Sequence, residues 1–484
     1  MMFTLEEIKR EIGGKAIYKT KETVFAAFVN VSGVSTDTRT IQEGNIFFAL
    51  RGERFNGNEY TQKAVDKGAC AVVVDNAEYI PDGAIGIVVS DTTDALEKLA
   101  AYYRFKLGAK VIAVTGSVGK TTTRTIIADV LRTGFRVHLP EANNNNEIGM
   151  SKTILSAPED TEILVVEMGM RALGEIKTLT DIAKPDIAVI TNVGSSHIGR
   201  LGSRENVLKA KMEIVDGLTD GGILIVNGDD PRLFEHARKI LPINNLIAAA
   251  TTGEKPVDLC PECINSYDVK QTDEGTEFNV RITRLGQAID LGGPFSIKMF
   301  GAAGVRNVLF ALLCAHICGL AGTEESLNRI KEVITSGDAL DGRGAVTLTK
   351  KYMIVNDAYN ASPESMENAF LNFSMRSKGR RKVLALGGML ELGDFAAELH
   401  EQTGRDCAKY EFDKVFVIGE NADDFIRGAH SVNADMDVTR CRDGKEVASS
   451  LSEYLQVGDA VLFKASHSFE FEKLAEEFIK KGNE

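Results

Sequence analysis

A glycine-rich turn between a buried strand and a helix constrains this chain more than any other feature. The apolar run 111–114 leads into Thr-Gly-Ser-Val-Gly-Lys-Thr-Thr at 115–122, before a predicted helix. Glycines let the backbone expose its N–H groups at a helix N-terminus, where phosphate binds. Lys120 would neutralise phosphate charge and the Thr121 hydroxyl would bind Mg²⁺. The segment predicts an ATP- or GTP-binding loop with contacts from Gly116, Ser117, Val118, Gly119, Lys120, Thr121 and Thr122.

Apolar runs that alternate with helical segments predict an α/β protein. The runs 163–166, 187–190 and 223–226 repeat the style of 111–114, which is typical of buried parallel strands. Residues 250–298 are more polar and alternate, so they predict an antiparallel extension of that sheet. Further apolar runs after about residue 350 predict a second, doubly wound sheet.

The length and these patterns together predict three domains. At roughly 150 residues per domain, 484 residues correspond to that number. We expect a small mixed α/β N-terminal domain at 1–108 and a central parallel sheet of the P-loop ATPase type at 109–336. A C-terminal Rossmann-like domain should occupy 337–484.

The charge of the chain excludes some classes of partner. Lys and Arg number 56 against 69 Asp and Glu, a net charge of −13. Such a chain lacks the basic surface expected of a nucleic-acid-binding or anionic-membrane-binding protein. Seven scattered cysteines predict reduced thiols, and the N-terminal residues lack the apolar core of a signal peptide. We therefore expect a cytoplasmic protein with no nucleic-acid or membrane partner.

Two residues outside the loop are candidate metal ligands. Glu167 ends the strand 163–166 and His197 follows the strand 187–190, so both should face the phosphate crevice. A carboxylate there can bind Mg²⁺, whereas a lone histidine is more often structural and Mg²⁺ prefers oxygen. The pattern around Lys211 predicts an ordinary solvated helix face.

Segments along nearly the whole chain resemble the Mur ligase family, in matching order. One departure from the family is 301–307, which lacks the family's His and first Asn. Separately, Val114 stands where the full phosphate-loop pattern has its first glycine. The family's Lys-Gly-Ser-Arg is replaced at 464–467, and its Asp-Gly-His at 56–58. The matching segments are Asp37-Thr38-Arg39, 44–52, 115–122, 144–149, 167–169, 191–198, 210–214, 341–344, 357–365, and 389–393 with His400.

The resemblance implies an activity. It implies an ATP-dependent carboxylate–amine ligase that joins D-alanyl-D-alanine to UDP-N-acetylmuramoyl-tripeptide through an acyl phosphate. Such an enzyme serves peptidoglycan synthesis, and hence cell-wall biogenesis, cell shape and cell division. It would use ATP and Mg²⁺ and act as a monomer.

The resemblance also implies roles for individual residues. Nucleotide contacts beyond the loop would be Asn307, Arg343 and Asp357. Catalytic residues would be Lys120, Lys211, His197, Arg343 and Asp357. Mg²⁺ would be held by Thr121, Glu167, His197 and a carbamate on Lys211. Substrate contacts would be Thr38, Arg39, Asn145, Asn146, Tyr359 and Asn360.

Two alternatives stay open at this point. A divergent Mur-type or folylpolyglutamate-type ligase would act on another substrate. The third domain lacks the Asp-Asn-Pro-Arg segment that the diaminopimelate-adding Mur ligase would have. A domain precedes the ATP loop, which argues against a folate ligase. A nucleotide-binding module without ligase activity would need neither the Lys211 carbamate nor the segment that begins at Asp357.

Overall fold

The computed structural model describes residues 3–19, 29–52, 55–140, 144–241, 246–253, 260–337 and 344–484. Within these ranges three main sheets follow one another along the chain, each with helices against it. The predicted α/β class is confirmed. The divisions at 108/109 and 336/337 fall between consecutive sheets, and we keep them as a proposal. Arg343 lies outside the described residues.

The first unit carries a five-stranded sheet in the order β2-β9-β8-β5-β4, in which only β2 runs antiparallel to its neighbour. Thr38 and Arg39 follow the carboxyl end of β4. The strands are β1 Phe3–Thr4, β2 Lys15–Tyr18, β3 Asn30–Val31, β4 Gly33–Ser35, β5 Asn45–Phe48, β6 Arg51–Gly52, β7 Phe55–Asn56, β8 Ala71–Val74 and β9 Ile85–Val88. The helices are α1 Leu5–Ile12, α2 Thr61–Asp66 and α3 Thr92–Leu107.

The central unit is built on a ten-stranded sheet. Its order is β11-β12-β10-β13-β14-β15-β16-β17-β18, with β19 also on β17. The strands are β10 Lys110–Thr115, β11 Val137–His138, β12 Ile163–Glu167, β13 Ile187–Ile190, β14 Ile223–Asn227, β15 Leu246–Thr251, β16 Glu262–Gln271, β17 Thr276–Arg284, β18 Gln287–Asp290 and β19 Phe295–Ile297. The helices are α4 Lys120–Leu131, α5 Glu147–Leu155, α6 Glu175–Ala183, α7 Ile198–Leu201, α8 Arg204–Met212, α9 Pro231–Ile240, α10 Ala302–Ile317 and α11 Glu324–Ser336.

Burial on both faces explains the continuous apolar strands of this sheet. Val111 and Ala113 of β10 pack in one core with residues of α3, α5 and α6, whereas Ile112 and Val114 pack in another with α4 and α10. A strand covered on both faces needs no polar alternation. The predicted antiparallel extension is confirmed, because β17 runs antiparallel to β16, β18 and β19.

The third unit is a six-stranded sheet in the order β20-β21-β25-β22-β23-β24. All neighbours are parallel except β20, which runs antiparallel to β21. The strands are β20 Ala345–Leu348, β21 Met353–Asn356, β22 Lys382–Leu386, β23 Lys414–Val417, β24 Val438–Arg440 and β25 Ala460–Lys464. The helices are α12 Pro363–Arg376, α13 Ala396–Cys407, α14 Ala422–Val432, α15 Gly444–Tyr454 and α16 Phe471–Asn483.

The most apolar helix of the central unit belongs to its core. Ten residues of α10 between Gly304 and Ala315 are buried, and the helix packs along α4. Among the described residues, none of the helices combines the length and the apolar character needed to cross a bilayer.

Candidate active site

A single cleft of about 1390 Å³ lies between the central and third units and collects most of the predicted site residues. It opens at the carboxyl ends of β10, β12, β13 and β21, which is where parallel sheets place their ligands. Its lining includes Ser117, Val118, Gly119, Lys120, Thr122, Asn145, Asn146, Glu167, His197, Asn307, Asp357, Tyr359 and Asn360. Thr38 and Arg39 are not in this lining.

The loop between β10 and α4 is fixed by hydrogen bonds from the residues that follow β13. The Thr191 hydroxyl and the Asn192 amide both donate to the Val118 carbonyl, at 2.7 and 2.8 Å. Gly116 lies so close that a Cβ there would be 1.9 Å from Thr191 Oγ1. Gly119 has a left-handed φ of 83° directly before α4. The turn therefore presents the N-terminus of α4 to the cleft, as anion binding requires.

The Thr121 hydroxyl and the buried Glu167 carboxylate lie side by side at this loop. The Thr121 hydroxyl donates to Glu167 Oε2 at 2.8 Å, and the Asn145 amide donates to Oε1 at 3.0 Å. Glu167 is only 1% exposed. Burial would raise the pKa of Glu167, but the Lys120 charge and these hydrogen bonds outweigh it and hold the pKa below its ordinary value. A buried, ionised carboxylate beside a hydroxyl suits Mg²⁺.

The Mg²⁺ suited to this pair would be shared with phosphates. Within the described ranges, no three His, Cys, Asp or Glu side chains gather into a closed metal site. Mg²⁺ commonly binds through one or two carboxylates together with substrate phosphates and water. The donor set at Thr121 and Glu167 fits that mode, because the phosphate-binding loop is adjacent.

The prediction that Lys211 lies on a solvated helix face is wrong. The residue is 2% exposed, and its neighbours Ala210 and Met212 at the end of α8 are buried as well. Burial and the nearby Lys120 charge lower the pKa of Lys211 well below its ordinary value, and Glu364 offsets this only in part. A lowered pKa favours the neutral amine, which is the nucleophilic form of lysine.

His197 lies at the edge of the cleft with one ring nitrogen engaged. Its Nδ1 contacts the Glu391 carboxylate of the third unit, and its Nε2 has no hydrogen bond to any described residue. Burial lowers the pKa of His197, and the Lys120 charge adds to this, whereas Glu391 opposes it. A neutral imidazole is the form that binds metal.

A buried lysine organises the third unit's side of the cleft. Lys464 ends β25 and donates from Nζ to Asp357 Oδ2 at 2.7 Å, to the Asp357 carbonyl at 3.3 Å and to the Asn360 carbonyl at 3.0 Å. These bonds fix the loop 357–360, which carries three predicted contacts. On the opposite wall, Thr123 donates to Asn307 Oδ1 at 3.1 Å, so the Asn307 amide is tied to α4.

Comparison with known proteins decides the family. Three family models match the chain: the Mur ligase family catalytic domain at 30–104, the Mur ligase middle domain at 114–315 and the Mur ligase glutamate ligase domain at 342–467. A UDP-N-acetylmuramoyl-tripeptide--D-alanyl-D-alanine ligase of Bacillus subtilis is 37% identical over 458 residues, 93% of each chain. The chain belongs to the Mur ligase family.

Other Mur ligases also match this chain over most of its length. A protein of the same name from Synechocystis is 32% identical over 91% of this chain and 90% of its own. The crystal structure of MurF ligase from Thermotoga maritima in complex with ADP has a TM-score of 0.74 at 27% identity, covering 93% of this chain and 97% of that one. A MurF structure from Acinetobacter baumannii, at 24% identity, shares the fold with a TM-score of 0.82 and covers 99% of both chains.

In this Mur ligase the sequence reasoning missed three charged residues around the cleft. Glu391 lies in a segment that resembles the family and Lys464 in one that departs from it, yet neither was assigned a role. Glu364 lines the cleft from the start of α12. Lys464 lies at the carboxyl end of a parallel strand, and this position could have identified it as a candidate site residue. Nothing in the local pattern marks Glu364 or Glu391, because their partners lie in the central unit.

Two other predicted substrate residues, Asn146 and Arg39, have local partners. Asn146 caps α5, since its Oδ1 accepts from Gly149 N at 2.9 Å. Arg39 pairs with Asp37, with Nη2 2.6 Å from Oδ2, and its hydrogen bonds lower the pKa of Asp37 to about 2. Arg39 therefore has a carboxylate partner already.

Proposed function

We propose that this Mur ligase joins D-alanyl-D-alanine to UDP-N-acetylmuramoyl-tripeptide at the expense of ATP, in peptidoglycan precursor synthesis. The observation that carries the proposal is the 37% identity to the Bacillus subtilis ligase over 93% of both chains, which spans all three units. The cleft supplies the physical basis, because it joins a phosphate-binding loop to a second wall that can hold a nucleoside and an acceptor.

The proposed reaction has two steps. A carboxylate oxygen of the tripeptide attacks the γ-phosphorus of ATP, and ADP leaves, giving an acyl phosphate. The dipeptide amine then attacks the acyl carbon, loses a proton, and phosphate departs. Phosphoryl transfer depends on positioning and charge neutralisation, which Lys120 and the N-terminus of α4 provide. Asn307, Asp357 and Arg343 would hold the nucleotide.

Thr121 and Glu167 would hold one Mg²⁺ beside the phosphate-binding loop. The Nε2 atom of His197 and a carbamate on Lys211 would hold a second. When bound, these ions supply positive charge where negative charge develops during transfer. We infer a cytoplasmic location, because the cytoplasm is where ATP and such precursors meet. A monomer is part of the proposal, because the cleft lies between two units of one chain.

The carbamate would form on Lys211 without an enzyme partner. The neutral Nζ attacks the carbon of CO₂ and loses a proton, which leaves a carboxylate on nitrogen. Burial and the Lys120 charge favour the amine needed for this step. The product carries oxygen ligands and a negative charge next to Lys120, which reverses the unfavourable electrostatics of an ammonium group there.

The three proposed domains divide the work. The N-terminal domain, 1–108, would bind the uridine nucleotide part of the acceptor with Thr38 and Arg39. The central domain, 109–336, would bind ATP, and Asn145 and Asn146 would contact the acceptor. Domain 337–484 would add Tyr359 and Asn360. Because the cleft lies between two domains, their closure would exclude water from the acyl phosphate.

A phosphate-release assay tests the proposal. Purified protein receives ATP, Mg²⁺ and UDP-N-acetylmuramoyl-tripeptide, with a panel of dipeptides and single amino acids. We expect fast release only with acceptor and D-alanyl-D-alanine together. Fast release with another amine or acceptor would favour a divergent ligase, and slow release that ignores both would favour a nucleotide-binding module.

A further inference from the structure

The central and third units interlock at one point beside the cleft. Gly199 donates its backbone N–H to the Glu391 carbonyl at 3.0 Å. A Cβ on Gly199 would lie 2.3 Å from Gly393 N, so the two backbones are in direct contact. Ile198, from the central unit, is 5% exposed and packs in the hydrophobic core of the third unit with Met389 and Leu392. The two units are therefore packed against each other at this point.

The Glu391 carboxylate completes the interlock. Its Oε2 contacts His197 Nδ1, and its Oε1 lies 3.4 Å from Arg200 Nη2. His197 and Glu391 both have a left-handed φ of 62°, which is costly for residues with a Cβ. Such backbone strain persists only where the surroundings impose it, and it concentrates at functional sites. Here two strained residues meet each other across the interface.

A second carboxylate of the third unit holds the same segment from its other end. Glu364 Oε1 accepts from Ser195 N at 2.7 Å and lies 3.7 Å from Arg204 Nη2. A Cβ on Gly194 would lie 2.6 Å from Glu364 Cδ. His197 is therefore bracketed by two acidic side chains that both come from the third unit.

We propose that Glu391 is a positioning residue that fixes the His197 ring in the cleft when the third unit docks on the central unit. An ionised carboxylate can only accept a hydrogen bond, so it places the ring proton on Nδ1. This leaves the Nε2 lone pair available as a ligand. Carboxylates that orient a histidine in this way tune its binding of metal. Assembly of the site thus depends on docking of the third unit.

The inference rests on the proposed function for the role of His197, so its test has a readout that needs neither substrate nor metal. The readout is the NMR spectrum of metal-free, nucleotide-free protein labelled with ¹⁵N-histidine. The signals that disappear in His197→Gln belong to His197, one of the seven histidines. We expect the wild type to show the tautomer with the proton on Nδ1, and Glu391→Ala to show a mixture of tautomers. Glu391→Gln keeps an acceptor and should keep the wild-type tautomer.

Kinetics supply the second readout. We expect Glu391→Ala to lower kcat by about 10- to 100-fold, while KM for ATP stays within about threefold, because the phosphate loop is untouched. Glu391→Gln should recover most of kcat. The matched control is Glu398→Gln, an exposed glutamate of α13 in the same unit, which should change neither readout.

Three outcomes separate the claims. An unchanged tautomer in Glu391→Ala, with or without lost activity, overturns the positioning role. Equal loss of kcat in Glu398→Gln overturns it as well. If the wild type makes no ligated product but Glu391→Ala still changes the tautomer, the proposed function fails and the positioning of His197 stands.

Discussion

The Lys464 ammonium group donates to the Asp357 carboxylate at 2.7 Å while it is 2% exposed, and this pair fixes the loop after β21. We predict that Lys464→Met raises KM for ATP at least tenfold, because Asp357 loses its partner and the loop loses three hydrogen bonds. Stability should also fall by about 3 kcal/mol, as expected when one member of a buried pair is removed.

The control for that variant is Lys473→Met, because Lys473 pairs with Glu470 on the exposed surface. Exposed ion pairs contribute little, so KM and the thermal midpoint should not change. Steady-state kinetics and thermal unfolding measure both quantities. A normal KM for ATP in Lys464→Met would show that the Asp357 loop does not serve the nucleotide.

The second prediction concerns the phosphate-binding loop. Lys120→Ala should lower kcat by several orders of magnitude, because positive charge at the transferring phosphoryl group is a dominant contribution. Lys98→Ala, on the exposed side of α3, is the matched control and should leave kcat unchanged. Circular dichroism checks the fold of both variants. Near-normal turnover of folded Lys120→Ala would remove the assignment of this loop to ATP.

The third prediction concerns Lys211. Lys211→Ala should be nearly inactive and regain part of its activity with a short-chain carboxylic acid, whose oxygens replace those of the carbamate. Lys209→Ala, an exposed lysine on the same helix, should remain active and should not respond to the acid. Full activity of Lys211→Ala in CO₂-depleted buffer would exclude the carbamate.

The fourth prediction concerns pH. Burial, with repulsion from Glu147, Asp94 and Asp91, raises the pKa of Glu97 from 4.5 to about 7. The folded state therefore keeps this proton after the unfolded state has lost it, so stability falls as pH rises from about 4.5 to 7. Glu97→Gln removes this loss, and its thermal midpoint should exceed that of the wild type above pH 7 but approach it near pH 4.5.

Glu78→Gln, an exposed glutamate of the same unit, serves as the control and should show no such pH-dependent difference. Thermal unfolding from pH 4.5 to 8 follows both variants. A constant difference between Glu97→Gln and the wild type across this range would show that the carboxyl group does not titrate as described.

Local patterns predicted the parts of the fold that depend on neighbours in sequence. The strand 111–114, the glycine turn and the antiparallel extension follow from burial and turn chemistry over a few residues. Parallel strand ends also predicted that Glu167 and His197 would share a cleft. The rule that carboxyl ends meet at one edge carried that prediction.

Contacts between units could not be predicted in this way. The pattern of α8 marked Lys211 as solvated, since helical periodicity does not show that Ala210, Lys211 and Met212 are all buried. His197 and Glu391 are separated by 194 residues, and no local signal pairs them. Arg343, expected at the nucleotide, falls outside the described residues and its role stays a prediction.

Mass spectrometry of the product tests the central claim most directly. Purified enzyme is offered ATP, Mg²⁺ and UDP-N-acetylmuramoyl-tripeptide together with D-alanyl-D-alanine and single amino acids in competition. We predict one new product, UDP-N-acetylmuramoyl-pentapeptide, formed with equal amounts of ADP and phosphate. A product that carries a single added amino acid, or no product with any dipeptide, would contradict the assigned substrates and leave the membership of the Mur ligase family intact.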